Sequence, residues 1–235
     1  MTPLAAADLA AKIKPLAGAS PAYATAREAL LAAEIDLQRR IDAVSAQRRL
    51  LPDGPVIEKD YRFKNMNGSE VGLADLFGAH TTLVTYFWMY GPARERPCPM
   101  CTNLLGPLNA NATDLRQRVA LVVLGRSSVE RQLAFAQERG WGALSFAQTV
   151  GDDYARDFGG LDPATGNEWP VLAVFRKQGE GDAAVVRLFW KGEMTGKMAD
   201  AGKDPRGGPD FAPLWTVLDL TPEGRGDKLY PKLAY

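Results

Sequence analysis

The sequence predicts an α/β protein in which a mixed central sheet is flanked by helices and preceded by an N-terminal helical extension. Along residues 56–235, apolar runs of strand length alternate with helical patterns, whereas residues 1–55 show helical patterns alone. The 235 residues are 46% hydrophobic, which is enough for a substantial core. We therefore expect a helical extension over residues 1–55 and an α/β domain over residues 56–235 that ends in an irregular C-terminal segment.

Two helices are predicted in the extension. One begins near Thr2-Pro3 and a longer one at Ser20-Pro21, and each start combines a capping residue with proline at the first helical position. Four apolar residues of the longer helix share one face, and these are Leu30, Leu37, Ile41 and Val44. This face either packs on the chain's own α/β domain or forms a subunit interface, so a homo-oligomer through the N-terminal helices stays open.

The α/β pattern begins after a break rich in proline and glycine at residues 51–55. Short segments at Tyr61–Phe63 and Leu73–Phe77 lead into Thr81–Trp88, which is apolar on both faces and is expected to be a central strand. The later elements are a helix Pro99–Arg118, a strand Val119–Leu124, a helix Val129–Arg139 with a stop at Gly140, a strand Leu144–Ala147, a short helix Asp152–Phe158, strands Val171–Phe175 and Ala184–Phe189, and a helix Phe211–Leu218. This order makes a mixed sheet with helices on its faces.

Charge and hydropathy give no support to nucleic-acid or membrane partners. Lysine plus arginine equals aspartate plus glutamate at 28 each, so no net field favours nucleic acid or an anionic membrane. No apolar run approaches the roughly 18 residues of a membrane span, and the N-terminus lacks the basic and apolar regions of a signal peptide. We expect a cytoplasmic protein without nucleic-acid or membrane partners.

The chemistry of the chain is concentrated in its two cysteines. Cys98 and Cys101 flank Pro99-Met100 between the predicted central strand and the next helix. At a helix N-terminus, unpaired backbone N–H groups and the macrodipole stabilise a thiolate, and neighbouring cations act in the same direction. Arg94 and Arg96 are the nearby cations. We therefore predict that Cys98 is the nucleophile and that Cys101, one helical turn deeper, resolves the mixed disulfide.

A zinc site is the main competing interpretation of two cysteines at this spacing, and it needs two further ligands. The only histidine, His80, precedes the strand whose far end leads to the cysteines. At about 3.3 Å per residue it should lie roughly 25 Å away. The sequence therefore predicts neither a metal nor a cofactor, although linear Cu(I) coordination by two thiolates is chemically open.

A second feature is the tripeptide Glu168-Trp169-Pro170, which leads into a predicted strand. A proline in this position either simply enters the strand or holds a cis peptide bond in a turn. In thiol oxidoreductases of this topology such a turn faces the cysteine pair, which favours the second interpretation. We therefore expect Trp169 and Pro170 to line the substrate site together with Arg94 and Arg96. The aromatic residues at the end of the central strand, Trp88 and Tyr90, are further candidates.

Residues 81–108 read TTLVTYFWMYGPARERPCPMCTNLLGPL. This stretch resembles an uncharacterised family of thioredoxin-like proteins described as predicted dithiol-disulfide oxidoreductases, which are related in fold to alkyl hydroperoxide reductase and thiol-specific antioxidant proteins. The likeness continues at residues 118–141 and near the C-terminus, and so covers most of the chain. It implies a thioredoxin-like fold with Cys98 and Cys101 as the redox pair, acting on a protein or small-molecule thiol or disulfide.

The cysteine spacing differs from that of peroxiredoxins, which carry Pro-x-x-x-Thr-x-x-Cys. Counting back from Cys98 gives Glu95 and Gly91, and counting back from Cys101 gives Cys98 and Arg94. Neither register fits. The sequence thus favours dithiol-disulfide exchange and leaves two alternatives, a thiol-dependent peroxidase and a non-catalytic protein that binds a small ligand or Cu(I).

Overall fold

The computed structural model describes residues 4–179, 181, 184–192, 213, 217, 220–221 and 231–234. The chain divides into two compact units, Met1–Pro52 and Asp53–Tyr235. The predicted helix start at Thr2-Pro3 lies outside the described residues, and so does most of the predicted helix Phe211–Leu218.

The N-terminal unit consists of the helices α1 (Ala6–Ala10) and α2 (Pro21–Arg49). The predicted start of α2 is confirmed, because the Ser20 hydroxyl accepts a hydrogen bond from the Tyr23 N–H at 3.2 Å and Pro21 opens the helix. The four apolar residues that share one face of α2 are exposed, so α1 does not cover them. Both interpretations of that face stay predictions.

The second unit contains one seven-stranded sheet with helices between its strands. Its elements are β1 (Arg62–Lys64), β2 (Glu70–Gly72), a 3-10 helix (Ala74–Phe77), β3 (Thr82–Phe87), α3 (Pro99–Leu115), β4 (Ala120–Gly125), α4 (Val129–Glu138), β5 (Ser145–Thr149), α5 (Asp153–Asp157), β6 (Val171–Gln178) and β7 (Val185–Gly192). The predicted helix after the cysteines therefore ends three residues early. The segment Leu73–Phe77 forms the 3-10 helix, and β1 and β2 pair as a hairpin.

The strand order is β2-β1-β5-β4-β3-β6-β7. Strands β5, β4 and β3 are parallel, and β6 and β7 continue the sheet in antiparallel pairs. The predicted central position of β3 is confirmed, since β4 and β6 pair on its two sides. Three parallel strands, an antiparallel pair beside the central strand and a cysteine-bearing helix after it make the thioredoxin-like arrangement that was expected.

Alternate residues of β3 point into two cores on opposite faces of the sheet. Leu83 and Phe87 belong to one core together with residues of the 3-10 helix and α5. Tyr86 and the following Trp88 belong to the other, which contains both cysteines and the apolar sides of α3 and α4. We call this second group the dithiol core. The chain after β3 thus brings the cysteines back over the face from which Tyr86 projects.

None of the helices in the described part of the chain combines the length and apolar character that a bilayer span requires.

Candidate active site

Cys98 lies at the predicted place, as the capping residue immediately before α3, with Pro99 at the first helical position. Its N–H donates to the Met89 carbonyl at 3.1 Å, and its carbonyl accepts from the N–H and the hydroxyl of Thr102, each at 3.0 Å. The backbone is therefore fixed on both sides of the sulfur. The unpaired N–H groups and the dipole of a 17-residue helix favour negative charge at this position.

Cys101 lies one turn further along α3, deeper in the dithiol core. Both cysteines are thiols in the structure, and Cys98 is 7% exposed against 2% for Cys101. Cys98, the Tyr86 hydroxyl and the Met89 backbone N–H lie beside the Cys101 sulfur and shift the pKa of its thiol. Cys98 is thus the slightly more exposed of the two residues.

Burial holds the pKa of Cys101 well above its ordinary value, and the hydrogen bond and charge of Cys98 raise this pKa further. Tyr86 and the Met89 N–H act in the opposite direction. Because Cys101 keeps its proton, it can donate that proton in a hydrogen bond to the Cys98 sulfur.

The segment between β3 and Cys98 is held to the sheet by a buried carboxylate, Glu168. Its side chain is 5% exposed and accepts a hydrogen bond from the Gly91 N–H at 3.0 Å. Arg94 and Arg126 each form an ion pair with it at 3.3 Å. Arg126 also binds Asp152 at 2.8 Å. The two arginines and two carboxylates therefore form one network beside residues 88–97, the segment that we call the cysteine loop.

A side chain at position 91 would displace the Glu168 carboxylate, which lies directly against Gly91. A Cβ there would lie 2.8 Å from the Glu168 Cδ, still closer to its Oε1 and 3.1 Å from an Arg126 nitrogen. Met89, two residues before Gly91, contacts both cysteines through its peptide groups. The anchor at Gly91 thus acts on the same short loop that positions the thiols.

The predicted cations Arg94 and Arg96 are near the cysteines in sequence, and each has a carboxylate partner. Arg94 pairs with Glu168, whereas Arg96 pairs closely with Glu138 and lies 4.8 Å from the centre of the Phe135 ring. Their charges are compensated in this arrangement. Their roles in substrate binding stay predictions.

Trp88 and Tyr90 lie in the dithiol core. Trp88 is fully buried and packs on Tyr90 and Phe135, and its role at a substrate site stays a prediction. Tyr90 is 5% exposed, and the Arg131 guanidinium lies 4.8 Å from its ring centre. Arg131 also donates to the Arg94 carbonyl at 2.7 Å. Through these contacts Arg131 links α4 to the cysteine loop.

The peptide bond between Trp169 and Pro170 is trans, as at a plain strand entry. Trp169 is 45% exposed, and its N–H donates to the Gly160 carbonyl at 3.0 Å. Pro170 is partly buried at the start of β6. The residue of this tripeptide that contacts the cysteine loop is Glu168, and the substrate roles of Trp169 and Pro170 stay predictions.

No three histidine, cysteine, aspartate or glutamate side chains converge as metal ligands within the described part of the chain. His80 precedes β3, at the end of that strand opposite the cysteines. The absence of a metal or cofactor from the function stays a prediction.

Three participants in this site were missed at the sequence level, and they are Tyr86, Glu168 and Arg131. In the sequence, Tyr86 does not differ from the other apolar residues of its strand. Its place two residues before Trp88 nevertheless puts the Tyr86 and Trp88 side chains on the same face of the sheet. The contacts of Glu168 and Arg131 with the loop join residues 77 and 37 positions apart. A pattern in one sequence carries no signal for such pairs.

Solved structures with a similar fold include a peroxidoxin, BcpB, from Mycobacterium tuberculosis (18% identity, 54% of this chain and 79% of that chain, TM-score 0.43). A PrxQ mutant from Xylella fastidiosa is similar at 15% identity (60% and 84%, TM-score 0.42). An exposed lipoprotein thioredoxin, Etrx1, from Streptococcus pneumoniae is similar at 14% identity (54% and 87%, TM-score 0.38). No curated protein matches the chain.

A family model described as a bacterial protein of unknown function (DUF899) matches residues 14–234. This match spans both compact units and includes the cysteine loop, Tyr86 and Glu168. The resemblance to an uncharacterised thioredoxin-like family is thus confirmed, and the chain belongs to the DUF899 family of bacterial proteins.

Proposed function

We propose that the protein is a dithiol-disulfide oxidoreductase in which Cys98 is the nucleophile and Cys101 the resolving thiol. The observation that carries this proposal is the pair itself, with the outer sulfur at the N-terminus of α3 and the inner thiol beside it, one turn within the helix. The helix terminus favours charge on Cys98, and burial keeps the proton on Cys101.

The reaction follows from this division of charge. The Cys98 thiolate attacks a substrate disulfide, a bond forms between Cys98 and one substrate sulfur, and the other leaves with the electron pair and takes up a proton. Cys101 then attacks the Cys98 sulfur and releases the second substrate thiol. The substrate disulfide gains two electrons, and the protein is left with a Cys98–Cys101 disulfide, which a second thiol system reduces.

The substrate is a protein or small-molecule disulfide, and the reverse reaction would oxidise a dithiol. The proposal includes a cytoplasmic location, because glutathione and thioredoxin systems there keep such a pair reduced. Cell fractionation tests this part, and recovery of the protein outside the cytoplasmic fraction would contradict it.

The function is tested by mixing reduced protein with oxidised glutathione or with hydrogen peroxide, in the presence of a dithiol reductant. We expect the wild type to exchange with the disulfide well above the background rate, and the Cys98→Ser variant to fall to background. Peroxide should be consumed no faster than by a free thiol. Fast peroxide consumption with slow disulfide exchange would instead identify a thiol-dependent peroxidase.

A further inference from the structure

The burial of Cys101 opposes its reaction as the resolving thiolate. Cys101 can attack a mixed disulfide only as a thiolate, yet it is 2% exposed and burial disfavours its charged form. Water cannot supply hydrogen bonds to the developing charge at that depth. The groups that act on its sulfur in the described part of the chain are Cys98, Tyr86 and the Met89 N–H, and no carboxylate is among them.

Tyr86 is held in a fixed position in the same core as this sulfur. It lies on β3, paired with Val123 of β4 on one side and Leu172 of β6 on the other, so its backbone is held within the sheet. Its side chain is 2% exposed and lies with both cysteines in the dithiol core, where Tyr86 and Cys101 shift each other's pKa. A hydrogen bond to a charged group in such a water-free site is stronger than one at the surface.

We propose that Tyr86 is a catalytic residue of the resolving step, in which its hydroxyl donates a hydrogen bond to the Cys101 sulfur as that sulfur becomes the attacking thiolate. This inference rests on the proposed dithiol function and deepens it. Cys98, which is occupied by substrate at that stage, can no longer serve as the charged partner of Cys101, and the Tyr86 hydroxyl and the Met89 N–H remain.

The step balances without a further reactant. The Cys101 thiol loses its proton, and a bond forms between the Cys101 and Cys98 sulfurs. The bond between Cys98 and the substrate sulfur breaks, and the electron pair leaves on the substrate sulfur, which takes up a proton. Tyr86 keeps its own proton throughout, because burial and the nearby cysteines hold its pKa well above the ordinary tyrosine value.

The experiment uses Tyr86→Phe, which removes the hydroxyl and keeps the ring. Reduced protein is mixed with less than one equivalent of a nitrobenzoate disulfide, whose released thiolate is coloured. Attack by Cys98 releases a first thiolate, and resolution by Cys101 releases a second. We expect the rate of the first phase to stay within about twofold of the wild-type rate. The second phase should slow by about 10- to 100-fold, which is the effect of losing one charge-assisted hydrogen bond in the transition state.

Tyr154→Phe is the matched control, since Tyr154 is also buried and its hydroxyl is hydrogen-bonded to Thr85 at 3.1 Å in the opposite core. We expect both of its phases to match the wild type, and thermal unfolding checks that each variant is folded. A second phase of wild-type speed in Tyr86→Phe, or equal slowing of both phases, would overturn the role of Tyr86. A wild type that releases only one thiolate would overturn the dithiol function itself.

Discussion

Replacing Cys98 with serine is expected to abolish disulfide exchange, and replacing Cys101 with serine is expected to stop the reaction at the mixed disulfide. Both cysteines are buried, but they differ in position: Cys98 is 7% exposed and caps α3, whereas Cys101 is 2% exposed and its pKa is raised by burial. Intact-protein mass spectrometry after addition of oxidised glutathione measures the outcome. Cys101→Ser should gain one glutathione adduct, and Cys98→Ser should remain unmodified.

The wild type is the control, because it should form the internal disulfide and carry no lasting adduct. An adduct on Cys98→Ser together with an unmodified Cys101→Ser would reverse the two roles. That result would mean that access to the site comes from the α3 interior and not from its N-terminus.

Replacing Glu168 with alanine is expected to destabilise the protein by roughly 2–4 kcal/mol, the scale of breaking a buried ion pair and leaving a buried N–H unsatisfied. The Gly91 N–H loses its acceptor, and Arg126, whose side chain is only 17% exposed, loses one of its two carboxylates. Chemical denaturation monitored by tryptophan fluorescence measures the change. Because the loop from Met89 to Cys98 loses its anchor, thiol alkylation of the folded variant should also accelerate.

Glu138→Ala is the matched control, since Glu138 also pairs with an arginine of the cysteine loop. That pair is surface-exposed, with side chains 47% and 48% accessible, and exposed pairs contribute little. We expect no measurable change in unfolding or in alkylation. If the two variants behave alike, Glu168 does not anchor the loop.

The site was predictable from sequence where it depends on neighbours in the chain. The cysteine spacing and Pro99 placed Cys98 at the start of a helix, and the doubly apolar run ending at Trp88 placed the preceding strand at the centre of the sheet. Both are local signals, and both are confirmed.

The contacts that tune the site could not be predicted in this way. The tripeptide before β6 drew attention to Trp169 and Pro170, yet the contact with the loop is made by Glu168, because its carboxylate meets the Gly91 N–H and two arginines from distant segments. The pairing of β1 with β5 is similarly non-local. Such contacts depend on how strands are ordered in space, which periodicity does not encode.

The central claim is tested most directly by counting thiols after equilibration in glutathione buffers of graded oxidised-to-reduced ratio, with alkylation and mass spectrometry as the readout. If Cys98 and Cys101 form the redox pair, both thiols should disappear together in one two-electron transition and return on addition of a dithiol. Thiols that stay reduced across the whole range, or that are lost one at a time as lasting glutathione adducts, would contradict the account.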